Sequence, residues 1–363
     1  MKYIKKFGAL VLAFAMTLSF AACSDTTWVF DYDGEKIPSG LYIAFTMEAY
    51  REAANRDDLN TEITDLMKQT IEGKDAAAWI KDKAKEYAAK YVVINRKFDE
   101  LGLTLSEEQT ASIDSTVSSY LDQVVSTDTG RTVEDIYLDN GVSRASYRMV
   151  AENSEKNRAI FEKYYGKDGL EEVPYEDLFA HFKENFASVN YFSIALTKPA
   201  EGEELTEEQK TSNEERQKMI DDYVKAINDK SMTFNEAKDD YSHYVWETEH
   251  NAEDEEIPED STTTQWFTRD ATYPNEAFVK AVFDELKPDG TAQAINNDNV
   301  YYITVRYDVT QDENNFEDMR QYVLSDVKGD DYNAMADGWV AALSPVVNDA
   351  AVSRYAPKNI KFE

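Results

Sequence analysis

The chain contains little cysteine and little histidine. Of its 363 residues, one is Cys, at position 23, and three are His. A single Cys cannot form an intrachain disulfide, and it cannot supply the thiolate cluster of a structural zinc site. The three histidines, His181, His243 and His250, match no familiar ligand spacing. We therefore expect stability to come from packing, and we predict no metal site and no cofactor.

Basic residues are also scarce. The chain has 38 Lys and Arg against 71 Asp and Glu, and its first 22 residues hold three of the lysines and no acid, so residues 23–363 carry a net charge of −36. Such a chain is repelled by nucleic-acid phosphates and by anionic lipid headgroups. No P-loop, dinucleotide-binding glycine pattern or Gly-x-Ser-x-Gly motif is present. We therefore expect neither a nucleic-acid nor a nucleotide partner.

The N-terminal region has the order of a secretory signal. Lys2, Lys5 and Lys6 precede an apolar run from Phe7 to Phe20, and Ala21-Ala22-Cys23 follows. The run is short for a membrane span, so we expect cleavage. The leader resembles a bacterial lipoprotein signal. That resemblance implies a lipid on Cys23, no free thiol nucleophile, and anchorage on the outer face of the cytoplasmic membrane; an ordinary signal peptide is the alternative.

Apolar periodicity predicts that the first half of the mature chain is mostly helical. A short strand from Trp28 leads to a helix at Leu41, with Ser39 as its expected cap. Residues 80–101 repeat apolar side chains at spacings of four and three, and Gly102 follows as a stop. Ser106 and Gln109 have the spacing of a capping box. Further helices are predicted at 133–140, 143–165 and 174–186.

The pattern changes near residue 188. Branched and aromatic residues predict buried strands at 189–196 and 300–306. Helices are predicted at 214–228, 234–242, 275–286 and 316–343, and residues 244–259 are expected to be acidic and irregular. We interpret the acidic run 253–260, beside His243 and His250, as a solvated loop, and only weak calcium association stays open there. The length indicates two domains, and a third stays open.

The order of several segments resembles the secreted foldases of the PrsA and SurA group. These segments are DGEKIPSGLY (33–42), YLDNGVSRASYRMVAE (137–152), IFEKYYG (160–166), DLFAHFKENFASVNYFSIAL (177–196), TFNEAKDDYS (233–242), WFTRDATYPNEAFVKAVFDELKPDG (266–290) and VYYITVRYD (300–308). The resemblance implies an α+β fold, in which a mostly helical chaperone domain, built from the N-terminal region and the C-terminal helix, carries an inserted small parvulin-like α/β domain. The expected division is a leader at 1–22, a helical domain at 23–186, the parvulin-like domain at 187–312, and a C-terminal helix and tail at 313–363 that packs on the helical domain.

The resemblance also implies positions for a proline pocket. Parvulins carry one His in the first strand and one in the last, near an Asp or Cys, and these positions fall on Ser193, Tyr302 and Tyr244. Phe278 matches the aromatic residue that lines the pocket, although a core helix would also place a Phe there. The glycine-rich segment corresponds to Thr262–Trp266, which has no glycine. Because both histidines are replaced, we expect isomerase activity to be weak or lost, and whether the chain is an enzyme stays open.

These patterns together favour a membrane-anchored extracytoplasmic chaperone or foldase lipoprotein. Its expected partners are unfolded or partly folded secreted polypeptides, held in an apolar cleft lined by some of the 23 tyrosines, and the bilayer through acylated Cys23. Two alternatives stay open. One is an active parvulin-type peptidyl-prolyl cis-trans isomerase, and the other is an interaction or solute-binding lipoprotein without chaperone activity.

Overall fold

The computed structural model describes residues 27–200, 202–249 and 264–361. These residues fold into two compact units. Unit 1 contains the described residues up to Glu172 and those from Lys328 onward, and unit 2 runs from Val173 to Val327. The leader with Cys23, the acidic run 253–260 and His250 lie outside the described residues.

Unit 1 is mainly helical. Its helices are α1 (Ser39–Ala54), α2 (Ala76–Glu100), α3 (Glu107–Leu121), α4 (Val133–Asp139), α5 (Arg144–Tyr165) and α11 (Asp349–Arg354), with 3-10 turns at Leu66–Lys68 and Pro357–Asn359. Its strands are short and antiparallel: β1 (Trp28–Tyr32) lies between β2 (Glu35–Pro38) and β11 (Val346–Val347), and hairpins join β3 (Thr70–Ile71) to β4 (Lys74–Asp75) and β5 (Val124–Ser126) to β6 (Arg131–Thr132).

Local signals set most helix ends in unit 1. Ser106 and Gln109 form the predicted capping box at α3. Gly102, with a φ of 64°, follows α2, and a side chain there would be strained. Ser39 was predicted to cap α1, but α1 begins at Ser39 itself, so Ser39 is its first residue rather than its cap. The Ser39 N–H donates to the carbonyl of Thr27 at 2.9 Å. The β1–β2 pairing therefore extends to the residue before α1.

The core of unit 1 lies where α1 and α5 meet α2. Ala84 and Ala88 are fully buried on α2, and such small side chains allow close approach of a neighbouring helix. Gly40 serves the same purpose on α1, because an added Cβ would lie 2.7 Å from the Ser146 hydroxyl of α5. The small residues at these contact positions therefore allow the three helices to pack closely.

Unit 2 is built on a four-stranded antiparallel sheet in the order β8-β7-β10-β9. Its strands are β7 (Phe186–Ala195), β8 (Gln265–Thr268), β9 (Ala292–Asn297) and β10 (Val300–Tyr307). The helices are α6 (Tyr175–Asn185), α7 (Glu207–Asn228), α8 (Phe234–Glu249), α9 (Glu276–Asp284) and the start of α10 (Glu313–Ala341), which crosses the unit boundary. Because side chains alternate along a strand, Phe192 packs towards α7 and α8 while Val189 packs towards α9.

The mostly helical α+β class predicted from the sequence is confirmed. Two helices of unit 2 are longer than predicted. Helix α7 starts at Glu207 because Thr206 and Gln209 form a capping box. Helix α8 continues to Glu249, where an irregular segment was expected, and Tyr244 in this extension stacks on Tyr241. Among the described residues, no helix has the length and apolar content needed to cross a membrane.

The two units divide at positions that differ from the expected boundaries at 187 and 313. Helix α6 and the start of α10 belong to unit 2, where a cluster of rings joins them to the sheet. Phe182 lies 5.5 Å from Phe316 of α10, 5.7 Å from Phe186 of β7 and 5.7 Å from Trp266 of β8, measured between ring centroids. Residues from Lys328 onward belong to unit 1, where Tyr332 of α10 packs 5.3 Å from Phe161.

Candidate functional site

The predicted proline-pocket residues lie on two different faces of the sheet in unit 2. Tyr302 of β10 is directly opposite Ser193 of β7, so both side chains share the face that α9 covers. Phe278 of α9 packs on that face, with its ring centroid 4.9 Å from that of Tyr302. Tyr244 lies on α8 instead and stacks on Tyr241 at 6.1 Å.

The position of Tyr244 follows from strand alternation. Tyr241 stacks at 5.8 Å on Phe192, which lies between Tyr191 and Ser193 in β7 and therefore points to the opposite face. The structure thus brings together Ser193, Phe278 and Tyr302, and it places Tyr244 on the other side of the sheet.

Phe278 has no exposed surface in this cluster. Its ring lies 4.9 Å from Tyr191, 4.9 Å from Tyr302 and 5.6 Å from Phe267. Its relative exposure is 0%, so the chain's own aromatic rings occupy the space beside it. A proline side chain could contact the Phe278 ring only if Tyr191 or Tyr302 moved away.

The hydroxyl groups around Phe278 already have protein partners. Asn275 donates from Nδ2 to the Tyr302 hydroxyl at 3.3 Å, and its Oδ1 accepts from the Phe278 N–H at 2.8 Å as the cap of α9. Burial, together with a hydrogen bond to Tyr273, raises the pKa of Tyr191 to about 12. Of the described histidines, His181 bonds Asp326 at 2.6 Å and His243 is exposed on α8, and neither belongs to the cluster packed around Phe278.

Sequence reasoning missed Tyr191 and Asn275. Tyr191 lies two residues before Ser193 in a predicted strand, so alternation alone places both on one face. Asn275 directly precedes a predicted helix, where Asn is a preferred cap. Both signals are present in the sequence, but the parvulin resemblance specifies neither position.

Unit 1 contains a cavity of about 570 Å³. Helices α1 to α5 and the unit 1 part of α10 contribute to its wall, and all of its lining residues belong to unit 1. Aromatic rings form much of the wall: Phe45, Tyr87, Tyr91, Tyr137, Tyr147 and Tyr332. Glu48, Lys90, Asn153, Glu155 and Asn157 add polar groups. Ser112, Thr116, Ser154 and Asn333 are also polar, so the wall combines aromatic and aliphatic side chains with polar positions.

Helix periodicity explains how the rings converge on this cavity. Tyr87 and Tyr91 are four residues apart on α2, so they share one face, and Phe45 of α1 lies 6.4 Å and 6.0 Å from them. On the other side, Tyr147 of α5 lies 5.4 Å from Tyr137 of α4. The middle of α5 is half-buried rather than buried, as expected for a helix that borders an open cleft.

The cavity tyrosines are held in the neutral form. Burial raises the pKa of Tyr91 and of Tyr147 to about 12. Burial also raises the pKa of Tyr87, and a hydrogen bond to the Glu52 carboxylate adds to the shift. Phenolic hydroxyls with such pKa values donate and accept hydrogen bonds near neutral pH.

Two residues of the cavity wall, Glu48 and Tyr137, are bonded to Arg51, which does not itself line the cavity. Arg51 of α1 donates from Nη1 to the Tyr137 hydroxyl at 3.0 Å, and its guanidinium lies 5.9 Å from the Tyr120 ring and 5.5 Å from the Tyr137 ring. It also pairs with Glu48 at 3.2 Å. Arg51 therefore holds α1 and α4 together beside the cavity.

No group of three or more acidic, His or Cys side chains is close enough to bind a metal among the described residues. Asp221 and Asp222 lie on α7 and Asp239 and Asp240 on α8, and Tyr223 donates to Asp240 at 2.7 Å. These neighbouring carboxylates therefore belong to helix surfaces.

No family model and no curated protein matches the chain. Solved structures are similar to it, and three of them are described below. One is PrsA from Bacillus subtilis, at 15% identity and a TM-score of 0.29, over 80% of this chain and 87% of that one. The foldase protein PrsA from Streptococcus pneumoniae has 14% identity and a TM-score of 0.36, over 83% and 94%. The foldase protein PrsA from Lactococcus lactis has 11% identity and a TM-score of 0.34, over 91% and 99%. All three are PrsA proteins, the group that the sequence resembles.

Proposed function

We propose that the chain is an extracytoplasmic chaperone of the foldase type, which binds unfolded or partly folded secreted polypeptides in the cavity of unit 1. The observation that carries the proposal is the cavity itself. A volume of about 570 Å³ accommodates a few side chains of a polypeptide, and the aromatic wall offers contact area without demanding one side-chain shape.

The charge of the chain supports the same function. With a net charge of −36 for residues 23–363, the chain repels other copies of itself and stays dispersed while it holds an apolar segment. The same charge favours basic clients. Nothing in this binding mode requires a nucleotide, since burial of apolar surface supplies the free energy.

Anchorage through Cys23 is part of the proposal. The test is mass spectrometry of the N-terminal peptide from membrane fractions of a bacterial host. We expect a diacylglycerol-modified cysteine at position 23 and release of the protein from the membrane fraction after Cys23→Ser. An unmodified Cys23, or an unprocessed leader, would contradict the anchor.

We expect the purified mature chain to accelerate cis/trans isomerisation of an X-Pro peptide little or not at all. Tyr191 and Tyr302 occupy the space around Phe278, and the two predicted histidine positions are Ser193 and Tyr302. Without an accessible pocket, the barrier of roughly 20 kcal/mol for peptide-bond rotation is not lowered. The measurement is a tetrapeptide assay. Strong catalysis that Phe278→Leu removes would instead establish the isomerase alternative.

Filling the unit 1 cavity should weaken suppression of client aggregation. Thr116→Trp and Ser154→Trp place an indole at lining positions on α3 and α5 without removing a packed ring. Loss of about 50 Å² of apolar contact costs about 1.3 kcal/mol, so we expect about tenfold more chaperone to be needed for the same effect. The measurement is light scattering of a denatured client diluted into the mature chain.

The matched control is Ser115→Trp. Ser115 is the neighbour of Thr116 on α3 and is also exposed, but it does not line the cavity, so its effect should be small. Equal losses for Ser115→Trp and Thr116→Trp would show that binding occurs elsewhere. If the unaltered chain suppresses no aggregation and binds one discrete small ligand, the solute-binding alternative replaces the chaperone.

A further inference from the structure

Unit 2 contains a second cavity of about 570 Å³, and its lining differs from that of the first. It opens beside β7, β8 and the end of β10, on the sheet face opposite Phe278. Its described lining residues include amides, hydroxyls, two carboxylates and three aromatic rings, but no Lys, Arg or His. The wall is therefore rich in hydrogen-bond acceptors and lacks a cation.

A buried acceptor without a donor belongs to this wall. Asn190 of β7 is only 9% exposed, and its Nδ2 donates to the Tyr307 hydroxyl at 3.4 Å. Its Oδ1 is buried and accepts no hydrogen bond from the described residues. Such an atom is costly to bury, so a donor in the cavity would stabilise it once the Asn190 amide turns Oδ1 towards the cavity.

Two carboxylates border the same cavity. Asp308 accepts at Oδ1 from the Thr310 N–H at 2.9 Å and from its hydroxyl at 2.7 Å, and Asp312 accepts at Oδ1 from the Asn314 N–H and side chain, both at 2.9 Å. These bonds orient each carboxylate through its Oδ1, and its Oδ2 takes no part in them. The Thr310 bonds also hold the pKa of Asp308 below its ordinary value, so that Asp308 is ionised near neutral pH.

Aromatic rings complete the wall. Trp266 of β8 is half-buried and packs against Phe182, with the ring centroids 5.7 Å apart. Tyr307 and Phe234 also line the cavity, and Phe234 is 6% exposed. Rings beside carboxylates suit a flat cation, because a guanidinium stacks on an aromatic face while its N–H groups bond oxygens at the edge.

From these contacts we propose that the cavity binds an arginine side chain. A guanidinium offers five N–H donors in one plane, enough for Asp308, Asp312 and Asn190 together, whereas an ammonium offers three on a point charge. An anion would be repelled by the two carboxylates, and the described residues offer too few ligands for a metal ion. The assignment of the arginine to a client polypeptide rests on the proposed chaperone function; binding of the guanidinium does not.

The test uses fluorine NMR of the mature chain labelled with 5-fluorotryptophan. The chain has five Trp residues, and Trp266→Phe identifies the Trp266 resonance. We expect Nα-acetyl-L-arginine methylamide to shift that resonance saturably. The matching citrulline derivative has the same shape without the charge, and we expect it to bind at least about tenfold more weakly, as loss of a charge-assisted hydrogen bond predicts.

The Asp308→Asn/Asp312→Asn variant should weaken binding of the arginine probe by more than about tenfold. The control Asp222→Asn removes one exposed charge on α7, outside the cavity, and should leave binding unchanged. Equal shifts with the arginine and citrulline probes, or unchanged binding in the double variant, would overturn the proposal, as would the absence of any saturable shift.

The outcome can be separated from that of the chaperone proposal. Thr116→Trp alters unit 1 alone, so it should leave the arginine titration unchanged. Saturable arginine binding by a chain that suppresses no aggregation would keep the guanidinium site but overturn its assignment to a client polypeptide. Suppression of aggregation without arginine binding would overturn the guanidinium site and leave the chaperone proposal standing.

Discussion

Replacement of Phe278 by Ala should lower the free energy of unfolding of unit 2 by about 3–5 kcal/mol. The side chain is fully buried, and its ring contacts Tyr191, Phe267 and Tyr302 at centroid distances of 4.9 to 5.6 Å. Removal of a ring enclosed in this way loses the burial free energy and leaves a cavity that its neighbours fill only in part.

Urea unfolding of the full mature chain, followed by circular dichroism, would measure the change. Tyr322→Ala serves as the control, because Tyr322 lies on α10 within unit 2 and is 67% exposed, so we expect a change within about 0.5 kcal/mol. A loss below about 1 kcal/mol for Phe278→Ala would mean that the Phe278 ring is loosely packed. That result would favour a proline pocket that opens, and with it the isomerase alternative.

Replacement of Arg306 by Leu should destabilise unit 2 by about 2–3 kcal/mol. Arg306 of β10 donates from Nη1 to the carbonyls of Val282, Phe283 and Leu286 at 2.9, 3.3 and 3.3 Å. The Val282 and Phe283 carbonyls lie in the last turn of α9, and that of Leu286 lies just after it, where no further helical N–H reaches them and the helix dipole is negative. The guanidinium therefore stabilises the end of the helix that carries Phe278.

The control for Arg306 is Arg269→Leu. Both guanidinium groups lie near the Phe283 ring, at 5.3 Å for Arg306 and 4.7 Å for Arg269. Arg269 is half exposed, pairs with Asp284 on the surface and donates to one carbonyl, that of Glu184, at 3.4 Å. Loss of such a pair costs less than about 1 kcal/mol. The loss of unfolding free energy for Arg306→Lys should lie between the losses for the two leucine variants, as measured by thermal or urea unfolding. Equal effects for the two leucine variants would show that ring contact, rather than the carbonyls, accounts for the stability.

The sequence predicted those elements of the fold that its residues encode locally. The apolar repeat of α2 and the box at Ser106 and Gln109 act within one helix, and β7 and β10 are rich in branched and aromatic residues. Strand β9 was not predicted, because AQAINN has little strand preference; it is extended because it pairs with β10 from Val300 to Val305. Tertiary pairing therefore decides where local preference is weak.

The candidate sites show the same division. Strand periodicity and the parvulin resemblance place Ser193 and Tyr302 on one face, with Phe278 over it. The position of Tyr244 depends on where α8 ends and on which face of the sheet α8 covers. A comparison of motifs gives no information on either. The sequence did not indicate Asn190 or Asp308 as site residues. They line one cavity only because β10 pairs with β7 and the chain turns after Tyr307.

The tyrosines of the first cavity keep one protonation state over a wide range of pH. A protein outside the cytoplasm, as we propose for this chain, would meet the pH of its surroundings directly, and a cleft lined with histidines would gain or lose charge as those surroundings changed. Burial raises the pKa of Tyr91 and of Tyr147 to about 12, so both hydroxyls keep their protons well above neutral pH. From a mildly acidic to a mildly alkaline medium, an apolar segment bound as we propose would therefore meet these two rings in one protonation state, with the same donors in the same places.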